Sequence, residues 1–168
     1  MAWLQSAPMS GILTLDQARQ ARSLLRETGL SLVFSNGHFD LLHTGHLDYL
    51  ERARALGGAL FVGINDDAST AALKGAGRPL VPAAERARLV AALRCVDAAI
   101  IFSGPTAGPL IESLRPDIYA KGGDYAHKTL PERPIVEAYG GQVVLIDLVP
   151  ERSTTALIAR VRALPEAG

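Results

Sequence analysis

The sequence predicts an α/β fold built on a five-stranded parallel sheet with helices on both faces. Short apolar runs alternate with segments of helical spacing along the chain, which is the pattern of strands joined by crossover helices. The run at 59–64 is continuously apolar, as a strand covered on both faces should be. With 168 residues, of which 48% are hydrophobic and 20% charged, the chain is long enough for one domain with a packed core.

Five strands are expected where apolar runs are short and bounded by turn-forming residues. They cover residues 31–35, 59–64, 98–102, 117–120 and 142–148. This alternation is the doubly wound arrangement of a single Rossmann-like domain. Such sheets bind ligands beyond the carboxyl ends of their strands, so the polar motifs that follow these runs are expected to converge at one rim.

Seven segments have the spacing or the end signals of helices. Gly29 fits the C-cap of the first helix, and Pro82 precedes the fourth. Ser153 or Thr154 caps the last helix, which Pro165 stops. The segments cover residues 15–26, 47–56, a short helix from the cap at 65–67 to residue 73, 83–93, 105–114, 134–139 and 154–164, with loops at 74–82 and 121–131.

Composition and chain ends restrict the class of protein. Lys+Arg and Asp+Glu balance at 17 each, which argues against a nucleic-acid binder. We see neither a membrane span, which needs roughly 18–20 apolar residues, nor a signal peptide. The single Cys95 lies in an apolar context, which predicts a buried, inert thiol and fits a cytoplasmic protein. We expect one domain over residues 1–168, with 1–11 and 165–168 flexible.

The most distinctive stretch, residues 36–46, reads Asn-Gly-His-Phe-Asp-Leu-Leu-His-Thr-Gly-His. It follows an apolar run and leads into a helical pattern. His43 and His46 are therefore expected at a helix N-terminus, where backbone N–H groups bind anions. Gly45 between them has no side chain to obstruct a phosphate. The order of these features indicates chemistry on phosphate groups.

Each of these candidates also has a plain structural explanation. His43 and His46 suit a helix cap or a metal pair, but zinc needs further ligands and none is clearly placed to supply them. Lys74, in a loop rich in glycine, is either an ordinary solvated side chain or a cation that closes over a triphosphate. Arg86 and Arg88 have the positions of ordinary exposed charges on a helix.

Two later motifs can likewise be explained either as structural features or as ligand contacts. Residues 121–125, Lys-Gly-Gly-Asp-Tyr, are typical of a turn. Alternatively, their glycines let the backbone approach a base or ribose, with Lys121 and Asp124 as polar contacts. The hydroxyls at 153–155 suit a helix cap, or with Arg152 they form a second phosphate site at a helix N-terminus.

Together these motifs resemble a known family. Residues 34–46 resemble the signature of the cytidylyltransferase-like nucleotidyltransferases, whose HxGH histidines match His43 and His46. Further segments resemble the branch that makes ADP-heptose from heptose 1-phosphate, found alone or as the second half of a kinase fusion. The resemblance covers roughly residues 15–161, and the chain length predicts the stand-alone form. These further segments are 65–70, 73–79, 121–125 and 153–155.

The resemblance implies a role for each matching residue. His43 and His46 would contact the triphosphate and stabilise the transition state, and Lys74 and Arg86 would neutralise phosphates. The implied nucleotide contacts are His38, Phe39, Gly45, Lys121, Gly123, Asp124, Tyr125, Ser153, Thr154 and Thr155. The contacts assigned to the phosphorylated substrate are Asn36, Asp40, Arg78 and Arg152. Mg²⁺ would arrive with the triphosphate and need few protein ligands, so no metal-binding residue is assigned. The family commonly forms homodimers, which implies one here.

The implied reaction is attack by a sugar phosphate oxygen on the α-phosphorus of a nucleoside triphosphate, most simply ATP, with release of pyrophosphate. A phosphate monoester is largely dianionic near pH 7, so no strong general base is needed. Cytidylyltransferases for glycerol phosphate or ethanolamine phosphate and FAD synthetases share the first motif, and a phosphonate substrate or a non-catalytic nucleotide-binding module stays open. The branch usually has Cys where this chain has His38, which leaves the preference for substrate or base open.

Overall fold

The structure is a computed structural model that describes residues 11–123, 130–147 and 153–165. Six strands and seven helices lie within these ranges. The strands are β1 (Gly11–Ile12), β2 (Leu32–Gly37), β3 (Ala59–Asn65), β4 (Ala98–Phe102), β5 (Ile118–Gly122) and β6 (Gln142–Ile146). The helices are α1 (Leu15–Glu27), α2 (Thr44–Arg54), α3 (Asp67–Lys74), α4 (Ala83–Ala91), α5 (Gly108–Leu114), α6 (Arg133–Ala138) and α7 (Thr154–Arg162).

The strands form one parallel sheet in the order β1-β4-β3-β2-β5-β6. The chain builds outwards from β2 through β3 and β4 on one side, and then through β5 and β6 on the other. The carboxyl ends of β2 and β5 therefore border the point at which the strand order reverses. Open α/β sheets bind their ligands in the crevice at this point.

Both faces of the sheet are covered by helices, as predicted. Alternate residues of a strand point to opposite faces, so Phe34 packs in the cluster under α1, α5 and α6. Its neighbour Val33 packs in the cluster under α2 and α4. Phe61 and Leu60 on β3 divide between the two clusters in the same way. Each buried side chain of this size contributes roughly 1.5–3 kcal/mol.

The prediction of five strands is wrong by one edge strand. In β1, Gly11 pairs with Ala98 and Ile12 pairs with Ala99. A strand of two residues has no periodicity to detect, and its place in the sheet depends on the partner strand β4. Gly11 was expected in a flexible terminus, and the structure places it in the sheet. The other residues predicted to be flexible lie outside the described ranges, except Pro165, which follows α7.

Two element boundaries differ in a way that affects the site. The strands β2 and β5 each run two residues beyond their predicted ends, so Asn36 and Lys121 lie on strands. The helix α2 begins at Thr44 and not at residue 47. Cys95 is only half-buried, and burial raises the pKa of its thiol. No helix in the described ranges is both long and apolar enough to cross a membrane.

Candidate active site

A cavity of about 290 Å³ opens at the carboxyl ends of β2, β3 and β5. Four of the predicted site residues line it, namely Asn36, His38, Lys74 and Lys121. They come from separate segments, and Asn36 and Lys121 are 85 positions apart. The parallel sheet therefore brings together polar groups that the sequence keeps distant.

Asn36 and Lys121 are joined at the base of this cavity. The Lys121 Nζ atom donates to Asn36 Oδ1 at 3.1 Å, and the Tyr119 hydroxyl donates to the same oxygen at 2.6 Å. Tyr119 and Lys121 are two apart on β5 and so share a face of the sheet. Burial lowers the pKa of the Lys121 ammonium, while the Glu132 carboxylate acts in the opposite direction. A phosphate oxygen beside Lys121 would favour its charged form.

The His38 ring is held by Thr70 at the wall of the cavity. His38 Nδ1 lies 3.0 Å from Thr70 Oγ1, and that hydroxyl donates its only proton to the carbonyl oxygen of Asp66 at 2.8 Å. His38 Nδ1 must therefore be the donor, which leaves Nε2 as an acceptor in the neutral ring. Burial, followed by the charges of Lys74 and other cations, lowers the pKa of His38 to about 4.

The two histidines of the HxGH motif lie at the start of α2, where they were predicted. His43 caps the helix, because its Nδ1 accepts from the Gly45 N–H at 3.1 Å. This bond places the proton of the neutral His43 ring on Nε2. The His43 and His46 rings stack with centroids 3.9 Å apart, and the His46 ring lies 5.2 Å from that of Phe39.

The His46 ring has one buried nitrogen atom. Its Nδ1 atom is buried and has no hydrogen-bond partner among the described residues. Burial, followed by the His43 charge, lowers the pKa of His46 to about 4. The ring is therefore neutral near pH 7, and one nitrogen carries a proton that it can donate.

Lys74 is the last residue of α3 and borders the cavity. The following Gly75 has φ 92°, a left-handed conformation that glycine adopts at little cost and that turns the chain away from the helix. The Lys74 side chain is exposed. Both explanations from the sequence therefore fit its position, since it is solvated and also faces the place where a ligand would lie.

The position of Arg86 contradicts the interpretation that this residue is an ordinary exposed charge. It is fully buried, whereas Arg88 on the same helix is exposed. Its guanidinium donates to the carbonyl oxygens of His38 and Val81 and to the Asp67 carboxylate. It does not line the cavity. The structure thus makes Arg86 a positioning residue that holds the backbone at His38, in place of the expected direct contact with phosphate.

Asp40 and Arg78, both expected to contact substrate, bind each other instead. The Asp40 side chain is 2% exposed and pairs with Arg78 Nε. Its other oxygen accepts from the N–H groups of Leu80 and Val81 at 2.7 and 2.9 Å. Three bonds on one buried carboxylate satisfy it within the protein. Asp40 therefore fixes the loop that follows Lys74, a role that differs from the substrate contact the resemblance implies.

The remaining predicted residues lie around the same rim. Phe39 has φ 48° and a buried ring. The ring lies so close to Gly37 that a Cβ atom at position 37 would clash with it. Gly123 follows β5 with φ 115°. Its N–H donates to the carbonyl oxygen of Ile146 at 3.4 Å. The predicted contacts Asp124, Tyr125 and Arg152 lie outside the described residues.

The start of α7 has the cap that the sequence predicts. Ser153 Oγ accepts from the Ala156 N–H at 3.1 Å. Thr154 Oγ1 lies 3.5 Å from the carbonyl oxygen of Leu41, and Thr155 is exposed. The contact with Leu41 brings this helix N-terminus beside the 36–46 stretch. None of the three hydroxyl residues lines the cavity itself.

The structure also adds residues that the sequence did not assign. Asn65, Thr106 and Glu132 line the cavity, and Thr70 orients His38. Asn65 and Thr70 belong to the 65–70 segment, which contributed to the family resemblance without a role for its members. Glu132 is 5% exposed and accepts from the Ala107 N–H at 3.3 Å. No local pattern distinguishes it from a surface glutamate.

The same motifs connect the chain to known proteins. Residues 34–162 match the family model described as cytidylyltransferase-like. The chain belongs to this family. The bifunctional protein HldE of Syntrophotalea carbinolica is 49% identical over 152 residues, and that of Geotalea uraniireducens is 51% identical over 151 residues. Each match covers 90% of this chain and 31% of the relative, so the chain spans about a third of the length of these curated relatives.

Solved structures share the fold of this chain. The lipopolysaccharide core biosynthesis protein from Thermoplasma volcanium is 27% identical with a TM-score of 0.58, covering 72% of this chain and 98% of its own. A pantoate-beta-alanine ligase from Francisella tularensis has a TM-score of 0.61 at 12% identity, covering 93% of this chain and 74% of its own. The second likeness shows the fold alone.

The acid–base state of this cytidylyltransferase-like site gives a first testable expectation. We expect the ring protons of His38 and His46 to titrate near pH 4 in NMR spectra, each assigned by a single substitution. The folded-state pKa values lie below the ordinary value of 6.5. The unfolded chain therefore takes up protons first as the pH falls, and the free energy of unfolding decreases between pH 6.5 and about 4. Midpoints above pH 6 would contradict the burial of these rings.

Proposed function

We propose that this chain is a nucleotidyltransferase that transfers AMP from ATP to heptose 1-phosphate, with ADP-heptose and pyrophosphate as products. The observation that carries the proposal is the cavity in which Asn36, His38, Lys74 and Lys121 meet, at the carboxyl end of the strand that precedes the HxGH helix. The identity of 45–51% to bifunctional HldE proteins supports the heptose branch, which also occurs as half of a kinase fusion.

The reaction requires one bond to form and one to break. A phosphate oxygen of the sugar phosphate attacks the α-phosphorus in line, and the bond from that phosphorus to the β-phosphate oxygen breaks. The nucleophile is largely dianionic near pH 7, because the second pKa of a phosphate monoester is ~6. Catalysis then depends on positioning and on stabilising the charge that develops on the phosphates. A cavity lined by Lys74 and Lys121, with Glu132 as its single lining carboxylate, fits this demand.

The charges of the site suggest which residues stabilise the phosphates and how. His43 and His46 act as donors at the helix N-terminus, where the helix dipole also favours negative charge. Lys74 and Lys121 supply positive charge from the two sides of the cavity. Within the described ranges there is no group of three or more His, Cys, Asp or Glu residues arranged to hold a metal. Mg²⁺ bound to the triphosphate would neutralise phosphate charge there.

Pyrophosphate release tests the proposal directly. The purified chain is assayed with ATP, CTP, GTP and UTP, each combined with heptose 1-phosphate, glycerol phosphate, ethanolamine phosphate and a phosphonate. We expect the highest kcat/KM for ATP with heptose 1-phosphate. Fastest turnover of CTP with glycerol phosphate or ethanolamine phosphate would favour the cytidylyltransferase alternative. Nucleotide binding without release in any combination would favour a non-catalytic module.

His38 favours a specific extension of this assay. Its Nε2 is an acceptor on a residue that lines the cavity, and an exocyclic amino group of adenine or cytosine is a donor. We expect the variant His38→Cys to change the ratio of kcat/KM for ATP and GTP by several-fold, since GTP lacks that amino group at the equivalent ring position. A ratio equal to that of the wild type would show that His38 does not affect base preference.

Lys74 provides a test of triphosphate binding. We expect Lys74→Ala to lower kcat/KM for the nucleotide by about 10- to 100-fold, which corresponds to the ~1.5–3 kcal/mol of a charge-assisted hydrogen bond. The matched control is Arg88→Ala, which removes an exposed cation away from the cavity. An unchanged kcat/KM for the Lys74 variant would make this loop a surface feature.

Three further expectations from the sequence complete the proposal. We propose a homodimer, a requirement for Mg²⁺, and a cytoplasmic location. Sedimentation at several protein concentrations measures the first, and turnover in EDTA with and without added Mg²⁺ measures the second. Fractionation of cells that produce the chain measures the third.

A further inference from the structure

A second and larger cavity lies at the other end of the strands, beside the amino ends of β5 and β6. It has a volume of about 460 Å³ and is lined by residues from the end of α1, the ends of α5 and α6, and the amino ends of β5 and β6. Ile118 on β5 lines this cavity, and Lys121 lies three residues further along the same strand. A strand rises ~3.3 Å per residue, so the cavity lies about 10 Å from Lys121 along the strand. It is therefore separate from the nucleotidyltransferase site, and nothing in the proposed reaction uses it.

The walls of this cavity carry an excess of positive charge. Arg22, Arg26 and Arg115 line it together with a single carboxylate, that of Asp117. Arg22 pairs with Asp117 at 2.9 Å, which leaves two guanidinium groups without a neighbouring carboxylate in the lining. Arg26 Nη2 lies 3.4 Å from the carbonyl oxygen of Arg115. Like charges gathered at one concave surface attract an anion.

Two residues that line this cavity each have a buried donor for which the described residues supply no acceptor. Arg22 is 4% exposed, and its Nε and Nη2 atoms donate to the carbonyl oxygens of Leu114 and Arg115 at 3.3 and 2.9 Å. Its Nη1 atom is buried and has no partner in the described part of the chain, and the same is true of the Tyr139 hydroxyl. Buried donors without partners are uncommon because their desolvation is not compensated. In the described part of the chain the one other such side-chain atom is Nδ1 of the proposed catalytic His46.

The surroundings of the Tyr139 hydroxyl also favour a ligand-binding site. Burial raises the pKa of Tyr139 to about 12, so the group remains a hydroxyl donor at physiological pH. The Arg115 guanidinium carbon lies 5.9 Å from the centroid of the same ring. Arg115 itself has φ 43°, a left-handed conformation that is unusual for a residue with a side chain. It brings this arginine to the edge of the cavity beside Gly140 and Gly141.

We propose that this cavity is a second ligand site, which binds a small metabolite through a phosphate or carboxylate group. Guanidinium groups bind both oxyanions in bidentate geometry, and the two unpartnered donors require acceptor oxygens. The volume lies in the range of pockets for small molecules and exceeds what a bare ion would fill. The proposal is independent of the reaction assigned to the other site.

NMR titration of the full ¹⁵N-labelled chain tests the proposal, with inorganic phosphate and acetate as separate probes at constant ionic strength. We expect saturable shifts of the Arg115, Gly140 and Gly141 amides with at least one probe. Shifts of the Gly45 and His46 amides report the other site and are fitted separately. Saturation by phosphate alone, by acetate alone or by both supports the site and identifies the oxyanion it prefers.

Variants distinguish this site from general screening of charge. Arg22 is left intact because it also holds the end of α5. Tyr139→Phe removes one hydroxyl and is expected to raise the Kd about 5- to 10-fold. Arg26→Gln combined with Arg115→Asn, where Asn tolerates the left-handed conformation, is expected to raise it more than 10-fold. The control Arg19→Gln alters an arginine of α1 that pairs with Asp16 and does not line the cavity, so it should leave the Kd unchanged.

Two results would overturn the proposal. One is the absence of saturable shifts at Arg115, Gly140 and Gly141 with both probes. The other is a Kd in the double variant equal to that of the wild type, which would show that the shifts reflect weak binding elsewhere on the surface.

Discussion

Replacing His46 by Ala is expected to lower kcat by about 10²–10³-fold while the chain stays folded. This range is typical for loss of one fixed donor that stabilises charge in a transition state. The His46 ring stacks on His43 at the start of α2 and is neutral near pH 7, because burial lowers its pKa to about 4. Its contribution is thus a positioned N–H group, and alanine cannot replace it.

The measurement is single-turnover and steady-state release of pyrophosphate, with circular dichroism and a urea titration on the same sample. The matched control is Glu51→Gln, an exposed position on the same helix, for which kcat should not change. Near-normal turnover of the His46 variant would remove the central assignment. A loss of kcat accompanied by unfolding would be resolved by His46→Asn, which retains a polar N–H group.

Replacing Arg86 by Met is expected to lower the free energy of unfolding by on the order of 2–4 kcal/mol and to lower kcat/KM as well. The change leaves the carbonyl oxygens of His38 and Val81 without their donor in a buried place. The Asp67 carboxylate loses one of its two partners and keeps the Ala83 N–H. It is 52% exposed, so water compensates much of that loss. The effect on kcat/KM follows because His38 is no longer held at the cavity wall.

The same helix supplies the control for Arg86. Arg88→Met removes an exposed charge two residues later, and the midpoint of its urea transition should equal that of the wild type within error. Arg86→Lys should recover little of the stability, because one ammonium cannot replace three N–H groups aimed at separate acceptors. Equal midpoints for the Arg86 and Arg88 variants to Met would contradict the positioning role.

Much of the fold follows from local patterns in the sequence. The strand β4 has the predicted bounds, and β3 differs from its prediction by one residue, since an unbroken apolar run leaves little choice for a strand covered on both faces. The Ser153 cap is likewise local, because donor and acceptor lie within one helical turn. The edge strand β1 escaped prediction because two residues become a strand only when β4 offers a partner.

The site likewise has features that follow from local sequence and features that only the tertiary structure decides. The order of strand, glycine turn, two histidines and helix determined the family and the place of His43 and His46, because each step depends on near neighbours in the chain. The tertiary structure alone decided that Asn36 meets Lys121, that Asp40 holds Arg78, and that Arg86 is buried beneath His38. Whether a charged side chain faces water, ligand or another charge depends on which distant segments the sheet brings beside it. These long-range contacts leave no local pattern in the sequence, whereas helices, strands and their caps do.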